Sequence, residues 1–231
     1  MSEINQATAR RPLQDPGRPT PARQQLDETD DLASATRYLA FMDRPTERAA
    51  VEQLRRALAA VGELVGGVQS DQWLAPTPCD DWSVGDVVSH LIGMNLVFTA
   101  LLNDQSPPER GGDHLGHDPA GSYARSAAGL LEAFDQPGAL ERTYRSTLGA
   151  ATGADRLQMR LYDLLAHGWD LAKATGQAGH LPEDLAAQAL TFARGQISPE
   201  SRPGRFAPAQ DASEDAPAID QLVAFLGRPL D

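Results

Sequence analysis

The chain has 231 residues, enough for one sizeable domain with a filled core. Its 32 acidic and 20 basic residues give a net charge of -12, which argues against nucleic acid as a partner because phosphate binding needs clustered cations. One cysteine, Cys79, excludes an intrachain disulfide and a cysteine-rich structural zinc site, so any metal must rely mainly on His, Asp or Glu.

Abundant alanine and leucine with few β-branched runs favour helices. Residues 1–44 are rich in Pro, Arg, Gln and Asp and read as a largely disordered extension, with Leu32, Tyr38, Leu39, Phe41 and Met42 as a short helix. No secretory h-region is visible there, and no apolar run approaches the ~20 residues a bilayer span needs, so a cytoplasmic protein without a membrane partner is expected. The domain is expected over residues 45–231. Val51, Leu54, Leu58, Val61, Leu64, Val65 and Val68 predict an amphipathic helix starting at an N-cap, Thr46.

Ser83 and Asp86 form a capping box, with Trp82 placed to staple onto Val87. The helix that follows runs to about Leu102 and carries His90 on a largely apolar face. Residues 103–121, rich in Pro and Gly, predict a long loop, a candidate lid. A third helix is expected from Tyr123 to Phe134, then a strand-like or extended stretch over 139–151. Thr152 and Asp155 cap a helix over Ala154 to Ala174, with Gly176 as its C-terminal glycine. Pro182 opens another helix through Ile197. After a loop over 198–217, Ile219, Leu222, Val223 and Leu226 predict a last short helix. The sum is an all-α bundle.

The chemistry concentrates in Asp163-Leu-Leu-Ala-His167. Residues four apart share a helix face, so this carboxylate and imidazole reach one point. A third ligand from another helix would complete a two-histidine, one-carboxylate metal site with open positions. A charged pair on an exposed face is the plainer alternative, but Leu161, Leu164, Leu165, Trp169 and Leu171 leave few exposed positions nearby. His90 is either a packed core histidine or that third ligand. Asp170 suits either orientation of His167 or a pairing with Lys173. His114 and His117 form an HxxH pair in a Gly-rich loop, and His180 reads as solvated. Cys79 has no neighbouring histidine in sequence to activate it. No GxGxxG, Walker loop, GxSxG or HExxH is present.

Taken together, Thr77-Pro-Cys-Asp-Asp-Trp-Ser-Val-Gly-Asp-Val-Val-Ser-His90-Leu and Asp163-Leu-Leu-Ala-His167-Gly-Trp-Asp-Leu-Ala-Lys-Ala-Thr-Gly176 resemble the metal-binding domain of the mycothiol-dependent maleylpyruvate isomerase family of actinobacteria, within the DinB-like superfamily. Phe225-Leu-Gly-Arg228 is similar to that family's ending. The resemblance implies a DinB-like four-helix bundle with extra short helices. It also implies a divalent metal, usually zinc, held by His90, Asp163 and His167. The family's isomerase has Glu where this chain has Asp163, one methylene shorter, which draws a metal closer to the helix.

The implied chemistry is addition or transfer of a small thiol, mycothiol, to a small electrophile, or isomerisation through the adduct. Water in the open position would give hydrolysis instead. The alternatives are a non-catalytic metal- or ligand-binding protein, a metal-free bundle with packed histidines, and a specialised biosynthetic enzyme reusing the pocket. The expected partner is a small-molecule substrate, and exposed apolar helix residues leave a homodimer open.

Overall fold

The computed structural model describes residues 28–79, 81–109, 112, 114–147 and 149–230, with residues 28–45 described by backbone alone. The part of the expected disordered extension that precedes residue 28 lies outside these. Helix α1 spans Glu28–Gly66. Thr46, expected as its N-cap, lies within it. Leu32, Leu39 and Met42 continue the helical spacing upstream, and Pro45 removes only one backbone donor from the ladder. The chain divides into two compact units, Met1–Phe41 and Met42–Asp231; everything below concerns the second.

Helix α2, Val84–Leu102, starts at the expected capping box: the Ser83 side chain accepts from Asp86 N, and the Asp86 carboxylate accepts from Ser83 N at 2.9 Å. Helix α3, Pro119–Phe134, begins earlier than expected because Asp118 caps it, accepting from Gly121 N at 2.9 Å, with Pro119 in the first turn. The extended stretch resolves into a hairpin of β1, Thr143–Ser146, and β2, Gly149–Thr152, pairing antiparallel from Thr143↔Thr152 to Ser146↔Gly149. Buried Arg156 holds it from below, donating to Gly149 O at 2.7 Å and Ser146 Oγ at 3.0 Å.

Helix α4, Gly153–Thr175, is the centre of the molecule. It has the expected Thr152–Asp155 capping box and ends on Gly176 in the left-handed conformation (φ 67°). Gly153 is required at its start, since a Cβ there would fall 1.8 Å from Ala139 O. α2, α5 (Glu183–Gln196) and α6 (Ala218–Phe225) pack on α4. The Met42–Gly66 part of α1 joins the same core through Leu54, Leu58 and Val61, and Gly168 lets it come close, with Val61 Cγ2 3.0 Å from where a Cβ would stand. A single core cluster includes residues of all six helices. The architecture is therefore the expected all-α bundle, with one small hairpin added.

One expectation changes. α2 is long and apolar enough, by length and composition, to cross a membrane. Its apolarity has a packing reason: Val84, Val87, Val88, Leu91, Ile92 and Phe98 face the core, so more than one stripe of the helix is apolar.

The caps are local and testable. Thr152→Ala should lower the unfolding free energy by about 1 kcal/mol, read by urea denaturation. Hydrogen bonds from the Ser83 side chain and backbone hold the Asp86 carboxyl below its ordinary range. A carboxyl lowered in the folded state adds stability above its unfolded pKa and loses it as pH falls through the folded one. The stability gap between the native chain and Asp86→Asn should therefore be full at neutral pH and close in acid, below the ordinary carboxylate pKa.

Candidate metal centre

α2 and α4 run antiparallel and face each other, so His90 comes opposite Asp163 and Asn95 opposite Arg160. His90 Nε2 lies 3.2 Å from Asp163 Oδ1, and His167 Nε2 lies 3.6 Å from the same oxygen. The ligand atoms of these three residues all fall within 4.8 Å of one another. An ion bound tetrahedrally at ~2.0–2.1 Å separates its ligand atoms by ~3.3 Å, so small side-chain shifts would seat one. Two imidazoles and a carboxylate are also a donor set that first-row divalent ions accept. The residues present fit a metal. Asp163 is 22% exposed through its side chain, open on one side to a cavity.

Asp163 and His167 are each held from behind. Buried Arg160 pairs with Asp163 Oδ2, leaving Oδ1 toward the histidines. The guanidinium also donates to Asn95 Oδ1 at 2.8 and 3.1 Å and to Leu91 O at 2.8 Å. Asn95 Nδ2 donates to Ser126 Oγ at 3.0 Å, Ser126 to Tyr123 O at 2.8 Å, and the Tyr123 phenol to Leu58 O at 3.1 Å. Burial pushes the Asp163 carboxyl up, but His90, Arg160 and His167 together hold it well below the usual range. It is a carboxylate at any physiological pH.

His167 Nδ1 lies 3.0 Å from Asp170 Oδ2. This is one of the two roles open to Asp170 in the sequence; the other candidate partner, Lys173, stands over the Trp169 ring instead. Burial raises the Asp170 carboxyl, and hydrogen bonds from His167 and Arg228 outweigh it and lower the pKa. Arg228 grips both Asp170 oxygens, at 2.9 and 3.3 Å. An Nδ1–H donated to a carboxylate leaves the Nε2 lone pair for a ligand position.

Trp82 does more than flank a helix cap. Its ring lies nearly parallel to His167, centroids 5.5 Å apart, and 4.9 Å from His90. The turn that aims it closes through Thr77 N to Trp82 O at 3.0 Å, with Asp81 left-handed (φ 63°). The same turn brings Cys79 within 4.8 Å of His167 and Asp170 ligand atoms, so the histidine absent near it in sequence is present in space. His117 and His180 are exposed, and His114 packs beside Gly93; among the described residues none of them joins a ligand cluster.

The triad forms part of the wall of a cavity of about 360 Å³ that Trp82, Met94, Phe98, Met159, Tyr162, Arg205, Phe206 and Leu226 also line. Arg160, Asn95, Arg228 and Trp82 were not singled out as site residues in the sequence. An arginine three residues before Asp163 in an apolar run was the available signal for the first.

The family model described as the mycothiol maleylpyruvate isomerase N-terminal domain matches residues 54–172, just over half of the chain. The chain belongs to that family. Two proteins from two strains of Mycobacterium tuberculosis, both described as uncharacterized, are each 37% identical over 177 residues, covering 75% of this chain and 94% of theirs. Among solved structures, a histidine-to-alanine mutant of the mycothiol-dependent maleylpyruvate isomerase aligns with a TM-score of 0.51 at 15% identity, over 62% of this chain and 68% of that one. That likeness is one of fold.

The buried ion pair predicts a cost. Arg160→Met leaves Asp163 without its guanidinium and Asn95 without its donor, and should destabilise the chain by about 3–5 kcal/mol in chemical denaturation.

Proposed function

We propose that the chain is a divalent-metal-dependent enzyme, with zinc held by His90, Asp163 and His167, that adds or transfers mycothiol to a small electrophile or isomerises one through the adduct. The observation that carries this reading is the convergence of the three side chains, with Asp163 and His167 braced from behind, on the wall of a cavity large enough for a small molecule. Membership of the mycothiol maleylpyruvate isomerase N-terminal domain family supports mycothiol as the thiol. A bound divalent ion supplies Lewis acidity that favours the thiolate form of a small thiol at neutral pH.

The chain's own residues do the rest. Asp170 fixes the His167 ring, and Arg160 fixes Asp163. The Trp82 ring covers both imidazoles from one side and excludes water there. Burial pushes the Tyr162 phenol up to about 12, so it remains a hydrogen-bond donor on the cavity wall. In the addition, sulfur bonds to the β-carbon of an activated double bond and the thiol proton ends on the α-carbon. Retained, the adduct is the product of a transferase. Expelled after rotation about the former double bond, the thiol leaves a cis–trans isomer.

A second reading has one observation in its favour. Asp163 is already paired with Arg160 and His90, so the site is electrostatically satisfied without a cation. A non-catalytic small-ligand-binding bundle follows from that.

Elemental analysis and turnover separate them. The enzyme reading expects about one zinc per chain, lost in both His90→Ala and His167→Ala, and, with an α,β-unsaturated electrophile, either zinc-dependent consumption of mycothiol or zinc- and mycothiol-dependent cis–trans isomerisation with the thiol regenerated. Asp170→Asn should weaken zinc affinity about 10–100-fold. Full zinc occupancy in both histidine variants, or neither thiol consumption nor thiol-dependent isomerisation by the zinc-loaded chain, overturns it.

A further inference from the structure

The helix faces that carry the triad continue past it. On α2, Met94 and Phe98 follow His90 at steps of four, so the three share one face. On α4, Met159 precedes Asp163 by four, and Tyr162 lies beside it. Because the helices are antiparallel, Met94 and Phe98 lie toward the same end as Met159 and Tyr162, and all four line the cavity. Phe206 from the loop after α5 closes this side, its ring 6.2 Å from Tyr162 and edge-on to it. The donor triad thus lies beside a wall of thioether and aromatic side chains in this compartment.

Charge in the cavity is sparse and sided. Arg228 is committed to Asp170 by two hydrogen bonds. Arg205, exposed beside Phe206, is the other cavity cation, and no ion pair to it occurs among the described residues. An anionic group against the Met94, Phe98 and Met159 wall has nothing there to repay its dehydration, so an anion is better placed at Arg205 or on the triad side of the cavity. An apolar body would remove that wall from water, and methionine side chains adapt to aromatic rings.

We propose that the electrophile is an aryl or medium-chain alkyl compound with one anionic group, its apolar body against Met94, Phe98, Met159 and Phe206 and its anion at Arg205. The assignment rests on the metal-dependent reading above for the chemistry, and on the cavity wall for the substrate class.

Binding to the full chain tests it, with benzylidenepyruvate as the aryl monoanion, benzylideneacetone as its uncharged counterpart and maleate as the short dianion. Affinity is read by titration calorimetry and by quenching of Trp82 fluorescence against a Trp82→Phe control, with zinc content measured on the same samples. Benzylidenepyruvate should bind at least tenfold more tightly than maleate. Met94→Gln with Met159→Gln, which keeps side-chain length, should reduce that preference several-fold. Arg205→Ala should weaken benzylidenepyruvate and leave benzylideneacetone unchanged. Equal or tighter binding of maleate, or a preference untouched by the double glutamine variant, overturns the proposal. Aryl preference in a chain that holds no zinc would overturn the metal reading and leave this one standing. One zinc per chain without the preference would do the reverse.

Discussion

A guanidinium in the middle of an apolar bundle sets the terms for everything around it. Arg160 is fully buried, and an unpaired charge there would cost several kcal/mol. The fold answers with a chain of partners that touches four of the helices, α1 to α4. Arg160 and Asp163 come from α4, Asn95 and the Leu91 carbonyl from α2, Ser126 and Tyr123 from α3, and the Leu58 carbonyl from α1. Such a network specifies one register of helices, because a shift of any of them strands a buried polar atom. It ends on the carboxylate that faces both histidines. The polar core and the candidate site are one construction.

A second brace reaches the site from the far end of the chain. Arg228 grips Asp170, which orients His167, so the segment after α6 is coupled to the imidazole. Arg202 ties the loop to that segment through Phe225 O at 2.9 Å, and Phe206, Arg205 and Leu226 form part of the cavity wall. The residues after Gly176 pack onto α4 through α5 and α6 and supply this wall directly. A pocket between helices, closed by a loop held at both ends, is a common way for a bundle to build a binding site.

What could be read from the sequence was what is local. The Ser83 and Thr152 caps, the Gly176 terminus and the shared face of Asp163 and His167 depend on spacings of three or four residues, and each stands where the pattern puts it. The hairpin shows in the sequence only as a strand-like or extended stretch, because four-residue strands over Arg156 have no periodicity to fix their pairing. Arg160, Asn95 and Arg228 were hidden for another reason. A polar residue reads as surface unless its partner is known, and these partners are 65 and 58 residues away in sequence. The start of α1 was misplaced because Pro45 and Thr46 mimic a helix N-terminus inside a longer helical pattern.

The aspartate at 163, where the resemblance implies glutamate, has a physical explanation in the same arrangement. Arg160 comes from the same helix three residues earlier, so its guanidinium meets the Asp163 side chain on one face of α4. A short carboxylate can lean on it with Oδ2 and still offer Oδ1 to His90 and His167, which sit 3.2 and 3.6 Å away. The shorter side chain and the buried arginine are therefore complementary: one gives up reach, and the other fixes direction. A carboxylate held this way loses little rotamer freedom when a cation arrives, and its second oxygen is already neutralised. Oδ1 is the oxygen left free of Arg160, and it faces the cavity side of the site.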